Sequence, residues 1–483
     1  MSNCNNGRWS FVLLQFLALA LASFLVLIAP NDIDRAFCWG VLVLVGFILV
    51  MTGVAKMLGP KPVNWIAADT TFSISFVVVH FLYIFIWLTD IFQLPVTDIW
   101  YFRNANCPHT VCSTLAMCAG SLAAFNIGYL ILPYKLRMEP MKAVMPWQRL
   151  GKLLVRISCG LLILFVILVG PQFLSGRYEG STFSYLPNIV FQVFQGLILA
   201  AIAVLVVSRA SYSGRSKRII WLDTFLAVAA SVALLLHGDR STFLIIVLAI
   251  LTAYSEFIKP IKVQTAALAL AAMFVLLGIS GLARHAVEGR NLASFYRIGQ
   301  EKFGDSLENA AVGFSGSVLT AFVAVDHVPG DHRYYMGKQK INAVAGLIPF
   351  GRKLFNVQQT TETSSSVLFT YLIQGTTGKV SGTGTSIFAD IYLEGGYGLT
   401  LFVFFLFGLL FKHITTKARS TDDLRWKVAL VSLVAILSIS GRMQIVDLLV
   451  RQVAYPVMYM LFFAYVLGVH RRGSRYVMMK PPT

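Results

Sequence analysis

Charge is what this chain has least of. Only 13% of its 483 residues are Asp, Glu, Lys or Arg, 57% are apolar, and the mean hydropathy is +0.71. Polar side chains must cover the outside of a soluble protein, and too few are present to do so. A soluble enzyme or binding module of this length is excluded. Acids are scarcer than bases, 22 against 40. That balance alone would admit nucleic acid as a partner, but the bases are scattered between apolar runs, so no nucleic acid is expected. Six cysteines are too few for a disulfide framework. Cys38, Cys118 and Cys159 sit in apolar runs as small hydrophobes. Cys107 and Cys112, in RNANCPHTVC, are spaced so that an oxidising compartment could join them. His109 between them makes a poor metal site, since a fourth ligand is missing. No internal repeat relates the two halves, which weighs against transporters built from paired repeats.

Long apolar runs are what the chain has instead. About 20 apolar residues span a bilayer. Such runs lie near 11–29, 37–55, 69–89, 111–132, 153–170, 187–207, 219–236, 242–258, 263–282, 399–411 (extended upstream), 428–440 and 452–469. No small-residue cleavage site follows 11–29, which therefore reads as an uncleaved first helix. Lys and Arg gather in the short loops of one side, so the positive-inside bias predicts twelve helices with the N- and C-termini cytoplasmic. The expected fold is an all-α polytopic membrane protein in three parts. Residues 1–282 carry nine helices, 283–398 form a large outward loop with short helices, and 399–483 hold three helices and a basic cytoplasmic tail.

The outward loop carries ten Lys and Arg, against the usual asymmetry. An anionic partner on that side, such as phosphate-bearing lipid, accounts for them; so does a merely solvated loop. Within it, 310–325 reads as a re-entrant or surface helix, 341–355 as an amphipathic piece and 360–386 as flexible and hydroxyl-rich.

GTTGKVSGTGT (375–385) fails as a phosphate loop, because Ile373 and Val380 stand where glycine and a hydroxyl residue are needed. DHVPGDH repeats an Asp-His pair, Asp326-His327 and Asp331-His332. Carboxylate and imidazole bind metal or act as an acid–base couple, though a solvated turn is the simpler account. No metal and no cofactor is expected. The arginines carry the strongest signal. Arg240 opens an apolar helix in HGDRSTFLIIVLAIL, and Arg284 leaves one in GLARHAVEG. Arg442 and Arg451 flank the last outward turn, in ISGRMQIVDLLVRQ, and Arg352 lies in the large loop. Guanidinium grips pyrophosphate bidentately and stays charged when desolvated. A single arginine there would more simply be snorkelling. Asp390, Tyr392 and Glu394, in FADIYLEGGYG, precede the tenth apolar run; if helical, Asp390 and Glu394 share a face. A carboxylate there activates a substrate hydroxyl, orients an arginine, or pairs with a base for structure alone.

Three stretches resemble the O-antigen polymerases (Wzy) and related oligosaccharide repeat-unit polymerases. They are GDRSTFLIIVLAIL; the loop end with IPFGRK, SGTGTS and ADIYLEGGYGLTLFVFFLFG; and SGRMQIVDLLVR. The plan of about a dozen helices with a large outward loop in the C-terminal half is similar as well. The resemblance implies a glycosyltransferase of the GT-C type at the periplasmic face of the bacterial inner membrane. It implies undecaprenyl-pyrophosphate-linked oligosaccharides as substrates, membrane lipid around them, and a chain-length-regulating co-polymerase as partner. It also implies arginines in place of a divalent cation. Arg240, Arg284, Arg352, Arg442 and Arg451 would bind pyrophosphate, with Tyr392 and Glu394 beside the substrate. Asp390 becomes the first candidate base or orienting group, with Arg240 and His327 as further catalytic candidates and Asp239 as a weaker one. An O-antigen ligase of the same fold and a lipid-linked sugar transporter or flippase are the alternatives.

Overall fold

The computed structural model describes residues 2–58, 64–91, 107–132, 145–170, 173, 185–210, 217–237, 239–262, 264–268, 271, 275, 311, 313, 315–347, 355, 360–374 and 384–467. These residues are helical, with no strand among them. Helices α1 (Ser2–Leu27) and α2 (Arg35–Met57) come first, then a pair, α3 (Ala68–His80) and α4 (Leu82–Thr89). They are followed by α5 (Val111–Ile131), α6 (Met145–Val169), α7 (Tyr185–Ala210), α8 (Lys217–His237) and α9 (Arg240–Phe257). Three short helices come next: α10 (Val318–His327), α11 (Lys338–Leu347) and α12 (Ser365–Gln374). The chain ends in α13 (Ile387–Ser420), α14 (Leu424–Leu437), a π-helical stretch Asp447–Ala454, and α15 (Tyr455–Val466).

Among the described residues, eight helical stretches are long and apolar enough to cross a membrane. The number is nine if the 52° bend between α3 and α4 falls within one span. The twelve expected spans are therefore not all seen. Most of 263–282 lies outside the described residues. The 14 residues of α14 cover about 21 Å at 1.5 Å per residue, short of a hydrocarbon core of ~30 Å. As expected, the tenth span extends upstream of 399, beginning at Ile387.

Helix starts follow local chemistry. Asp34, Asp239, Ser386 and Asp423 each precede a helix and accept a hydrogen bond from a backbone N–H of its first turn, satisfying a donor the helix cannot. The centre of the bundle follows from side-chain size. Helix α5 is rich in Ala, Gly, Ser and Cys, and 89% of its apolar window is buried, against 22% in α1. Small residues let other helices approach closely. Gly128 of α5 and Gly408 of α13 meet at such a crossing: a Cβ on Gly128 would stand 2.1 Å from the Phe405 carbonyl oxygen, and one on Gly408 2.1 Å from that of Phe125. By contrast α1 leaves Leu13, Leu17 and Leu27 open, an apolar outer face that lipid, not water, tolerates.

Two readings of the large loop are sharpened. Of the re-entrant and surface alternatives for 310–325, a surface helix does not fit Val318–Ala324, which are buried, with α10 packed among α5, α12 and α13. The hydroxyl-rich 360–386 is helical in part, because Leu368, Phe369 and Ile373 of α12 find a buried seat.

The bundle has two distinct ends. At one, Arg8 donates to the Leu130 carbonyl, Lys56 meets Asp69 at 2.8 Å, and Arg419 grips Glu256 with two bonds of 2.8 and 2.6 Å. The starts of α1 and α3 and the ends of α2, α5, α9 and α13 gather there. The opposite end holds the α1–α2 turn, the starts of α5, α9 and α13, the end of α14, and α10 to α12.

Candidate functional site

Arg240 owes its place to its neighbour. Asp239 is buried and caps α9, its Oδ1 taking Thr242 N at 3.1 Å and Ser241 Oγ at 2.7 Å. Its Oδ2 takes Thr242 Oγ1 at 2.6 Å, and that hydroxyl accepts from Gln195 Nε2 at 2.6 Å. Asp239 thus orders the first turn of α9. Arg240 becomes the first helical residue, half-buried. A cation there opposes the helix dipole, at a cost of about 0.3–1 kcal/mol.

Arg442 lies in the 3-10 turn Ser440–Arg442 after α14. Its Nε donates to Ser317 Oγ at 2.9 Å and its Nη1 to the Gly313 carbonyl at 2.5 Å. Surrounding protein, and then the Arg240 guanidinium nearby, lower its pKa to about 10. The side chain nevertheless keeps open surface. The Arg240 and Arg442 charges thus lie close enough to act on one another, and guanidinium groups near each other can receive an anion.

The second cluster sits at the start of α13. Asp390 is 1% exposed. Its Oδ1 accepts from Lys340 Nζ and Ser365 Oγ, both at 2.6 Å, and its Oδ2 from the Ile445 N–H at 3.0 Å. Ile445 is three residues beyond Arg442, so one short segment touches both clusters. Lys340 also reaches Glu394 at 3.3 Å, which bears out the shared face of Asp390 and Glu394.

The glycines after Glu394 have a structural task. At Gly395–Gly396 the helix breaks. Gly396 has φ +71°, and a Cβ on it would stand 2.6 Å from the Tyr334 hydroxyl. The break frees two carbonyls, so that Leu393 O accepts from Tyr335 N at 3.0 Å and Glu394 O from Met336 N at 3.1 Å. Glu394 Oε2 then takes Gly337 N at 2.5 Å. Residues 334–340 are clamped to the kink. Tyr392 is buried as well, its hydroxyl donating to Val328 O at 3.4 Å.

The other expected site residues have partners of their own or lie outside the described residues. Arg451 lies in the π-helical stretch 3.8 Å from Asp447, with Tyr455 and Tyr459 near it. Such π-helical turns are rare and concentrate at functional sites. His327 is held by Asp331 at 2.6 Å and lies 3.6 Å from Asp326, which also meets His109 at 2.6 Å. It ends α10, about 15 Å along that helix from the Ser317 that binds Arg442, so it does not join the arginine pair. Arg284 and Arg352 lie outside the described residues. Cys107 and Cys112 are not joined: Cys112 faces Cys38 of α2, Sγ to Sγ 4.0 Å, while burial and then the Asp326 charge push the Cys107 thiol up to about 12. No group of three or more His, Cys, Asp or Glu able to hold a metal occurs among the described residues.

Sequence reasoning missed Lys340, Ser365, Ser317 and the Ile445 N–H. A signal for Lys340 existed: two carboxylates one turn apart beside an apolar run demand a cation. Which of the ten loop cations answers that demand is a long-range matter. Comparison with protein-family models, with curated proteins and with solved structures finds no match.

Proposed function

We propose that this membrane protein is a glycosyltransferase of the O-antigen polymerase type, working on undecaprenyl-pyrophosphate-linked oligosaccharides at the periplasmic face of the inner membrane. The observation that supports the reading is the closeness of the Arg240 and Arg442 charges, with solvent-accessible surface left on both side chains. An acceptor sugar hydroxyl attacks the anomeric carbon of the lipid-linked chain, the bond to the pyrophosphate oxygen breaks, and the hydroxyl proton leaves to solvent or to the departing pyrophosphate. Negative charge grows on that oxygen, and guanidinium groups already in place stabilise it without reorganisation. This chemistry needs no metal. Arg284, Arg352 and Arg451 are further candidates for the same clamp.

Asp390 serves here as the orienting group. Buried and bound by three donors, it holds Lys340 and the 445 backbone, and through them the turn that carries Arg442. Tyr392 and Glu394 support it by fixing residues 328–337. The twelve-span GT-C plan, cytoplasmic termini and a chain-length-regulating partner belong to the same proposal.

Purified protein in nanodiscs, given lipid-linked repeat units, will build longer oligosaccharides on the lipid. Arg240→Lys keeps the charge but loses the fork, and polymerisation falls by about a hundredfold, the scale of one lost charge-stabilising donor. Unchanged ladders from Arg240→Lys and Arg240→Ala would remove the role assigned to Arg240. In cells, loss of a polymerase leaves lipid A core with a single repeat. Bare core after deletion would identify a ligase instead, and trapped substrate on the cytoplasmic leaflet a flippase.

A further inference from the structure

A cavity opens between the 332–338 segment and residues 361–371. Its volume is about 380 Å³, and Tyr334, Tyr335, Tyr371, Arg333, Lys338 and Glu362 are among its lining residues. That size falls within the range of small-molecule sites, about 300–1,000 Å³. We propose that this cavity is a saccharide subsite that seats the terminal sugar of the acceptor chain, an inference that rests on the glycosyltransferase reading above.

The lining has the chemistry of a sugar. A pyranose ring carries apolar C–H faces rimmed by hydroxyls. Polarised C–H bonds are attracted to the electron-rich face of an aromatic ring, and three tyrosines offer such faces. Tyr371 of α12 is 45% exposed, an uncovered ring beside a cavity. Lys338 and Glu362 face each other across 3.1 Å with 64% and 68% of their side chains open. An ion pair so exposed contributes little to stability, about 0–1 kcal/mol. It does offer donors and acceptors side by side, which is what vicinal hydroxyls bind. Arg333 and Lys338 alone would favour an anion; Glu362 and the tyrosines shift the preference to a neutral polyhydroxyl ligand.

The walls are already built. The Tyr335 hydroxyl donates to the Thr361 carbonyl at 3.4 Å, and Gln339 Nε2 donates to the same oxygen at 3.2 Å. These bonds tie the 333–338 wall to the 361–371 wall, which reduces the ordering a ligand must impose. Two residues beyond Lys338, Lys340 joins Asp390 and Glu394. A sugar held in the cavity is thereby registered against the cluster that places Arg442.

The test uses the full chain in nanodiscs. The probe is lipid-free oligosaccharide released by mild acid from the surface polysaccharide of the producing cell, titrated by calorimetry. Tyr371→Ala weakens binding about tenfold, the order expected for one stacked ring in an enclosed site. Tyr371→Phe binds like the parent, and Glu362→Gln is weakened; both positions are exposed, so the fold survives. In the polymerisation assay Tyr371→Ala raises the acceptor KM and leaves kcat in place. No binding by the parent protein, or equal binding by Tyr371→Ala and Glu362→Gln, overturns the subsite. Binding that Tyr371→Ala loses, in a protein that builds no polymer, keeps the subsite and removes the polymerase reading. Normal polymer with an unchanged acceptor KM in Tyr371→Ala does the reverse.

Discussion

The two ends of the helical bundle differ in how they place their arginines. At the Glu256 end, cations meet carboxylates. Arg419 forks onto Glu256, which also accepts from Asn64 at 2.7 Å, and Lys56 reaches Asp69. Glu256 and Asp69 are both only 2% exposed. Lys412, equally buried, stands 4.7 Å from the Tyr129 ring centroid. At the opposite end, Arg240 and Arg442 stand close enough for one to disfavour the other's charge. Charges that only hold a fold together need partners that cancel them. Under the proposed function, an anion from outside is received where these two like charges lie near each other. The difference separates arginines that close ion pairs from arginines that act on one another.

That contrast can be broken by experiment. The largest effect is expected at the Glu256 end. Arg419→Met leaves a buried carboxylate without its cation, and stability drops by about 3–5 kcal/mol, read as thermal unfolding in detergent. Arg442→Met, matched in size, lowers the unfolding temperature far less, because it also relieves repulsion with Arg240. Equal losses from the two would erase the distinction between the ends.

A middle-sized effect tests whether the Asp390 cluster behaves like the paired end. Lys340→Met strands Asp390 and lowers stability by about 2–4 kcal/mol. Asp390→Asn in the same protein restores part of that loss, with a coupling of about 1 kcal/mol or more in a double-mutant cycle. Simple additivity would show that Lys340 and Asp390 act independently. The smallest effect belongs to Arg35→Ala. Its bond to Asp90 spans 3.3 Å between side chains that are 56% and 62% exposed, so stability stays within about 0.5 kcal/mol.

Much of the architecture was legible without coordinates, since hydropathy and capping are local properties. The runs at 111–132 and 187–207 are helices, and Arg240 begins one. In HGDRST, Asp239 reads from sequence as a weak catalytic candidate, and the structure shows it capping the helix that Arg240 begins. Asp390 and Glu394 share a face because they are four apart on a helix. The large loop was read less well. Residues 360–386 look flexible by composition, yet α12 forms where Leu368, Phe369 and Ile373 become buried. Cys107 and Cys112 could be joined in an oxidising compartment, yet both are free and Cys112 faces α2.

Sequence alone therefore determined that this is a helical membrane protein and which residues begin its helices, because apolar length and first-turn chemistry act over a few residues. Tertiary structure alone decided that Arg240 meets Arg442, that Lys340 rather than an arginine answers Asp390, and that the Gly395–Gly396 break docks residues 334–337. Each of these joins groups tens to hundreds of residues apart, and nothing local distinguishes one loop cation from the next. Packing selects among them, since a buried carboxylate keeps its charge only where the folded chain delivers a partner.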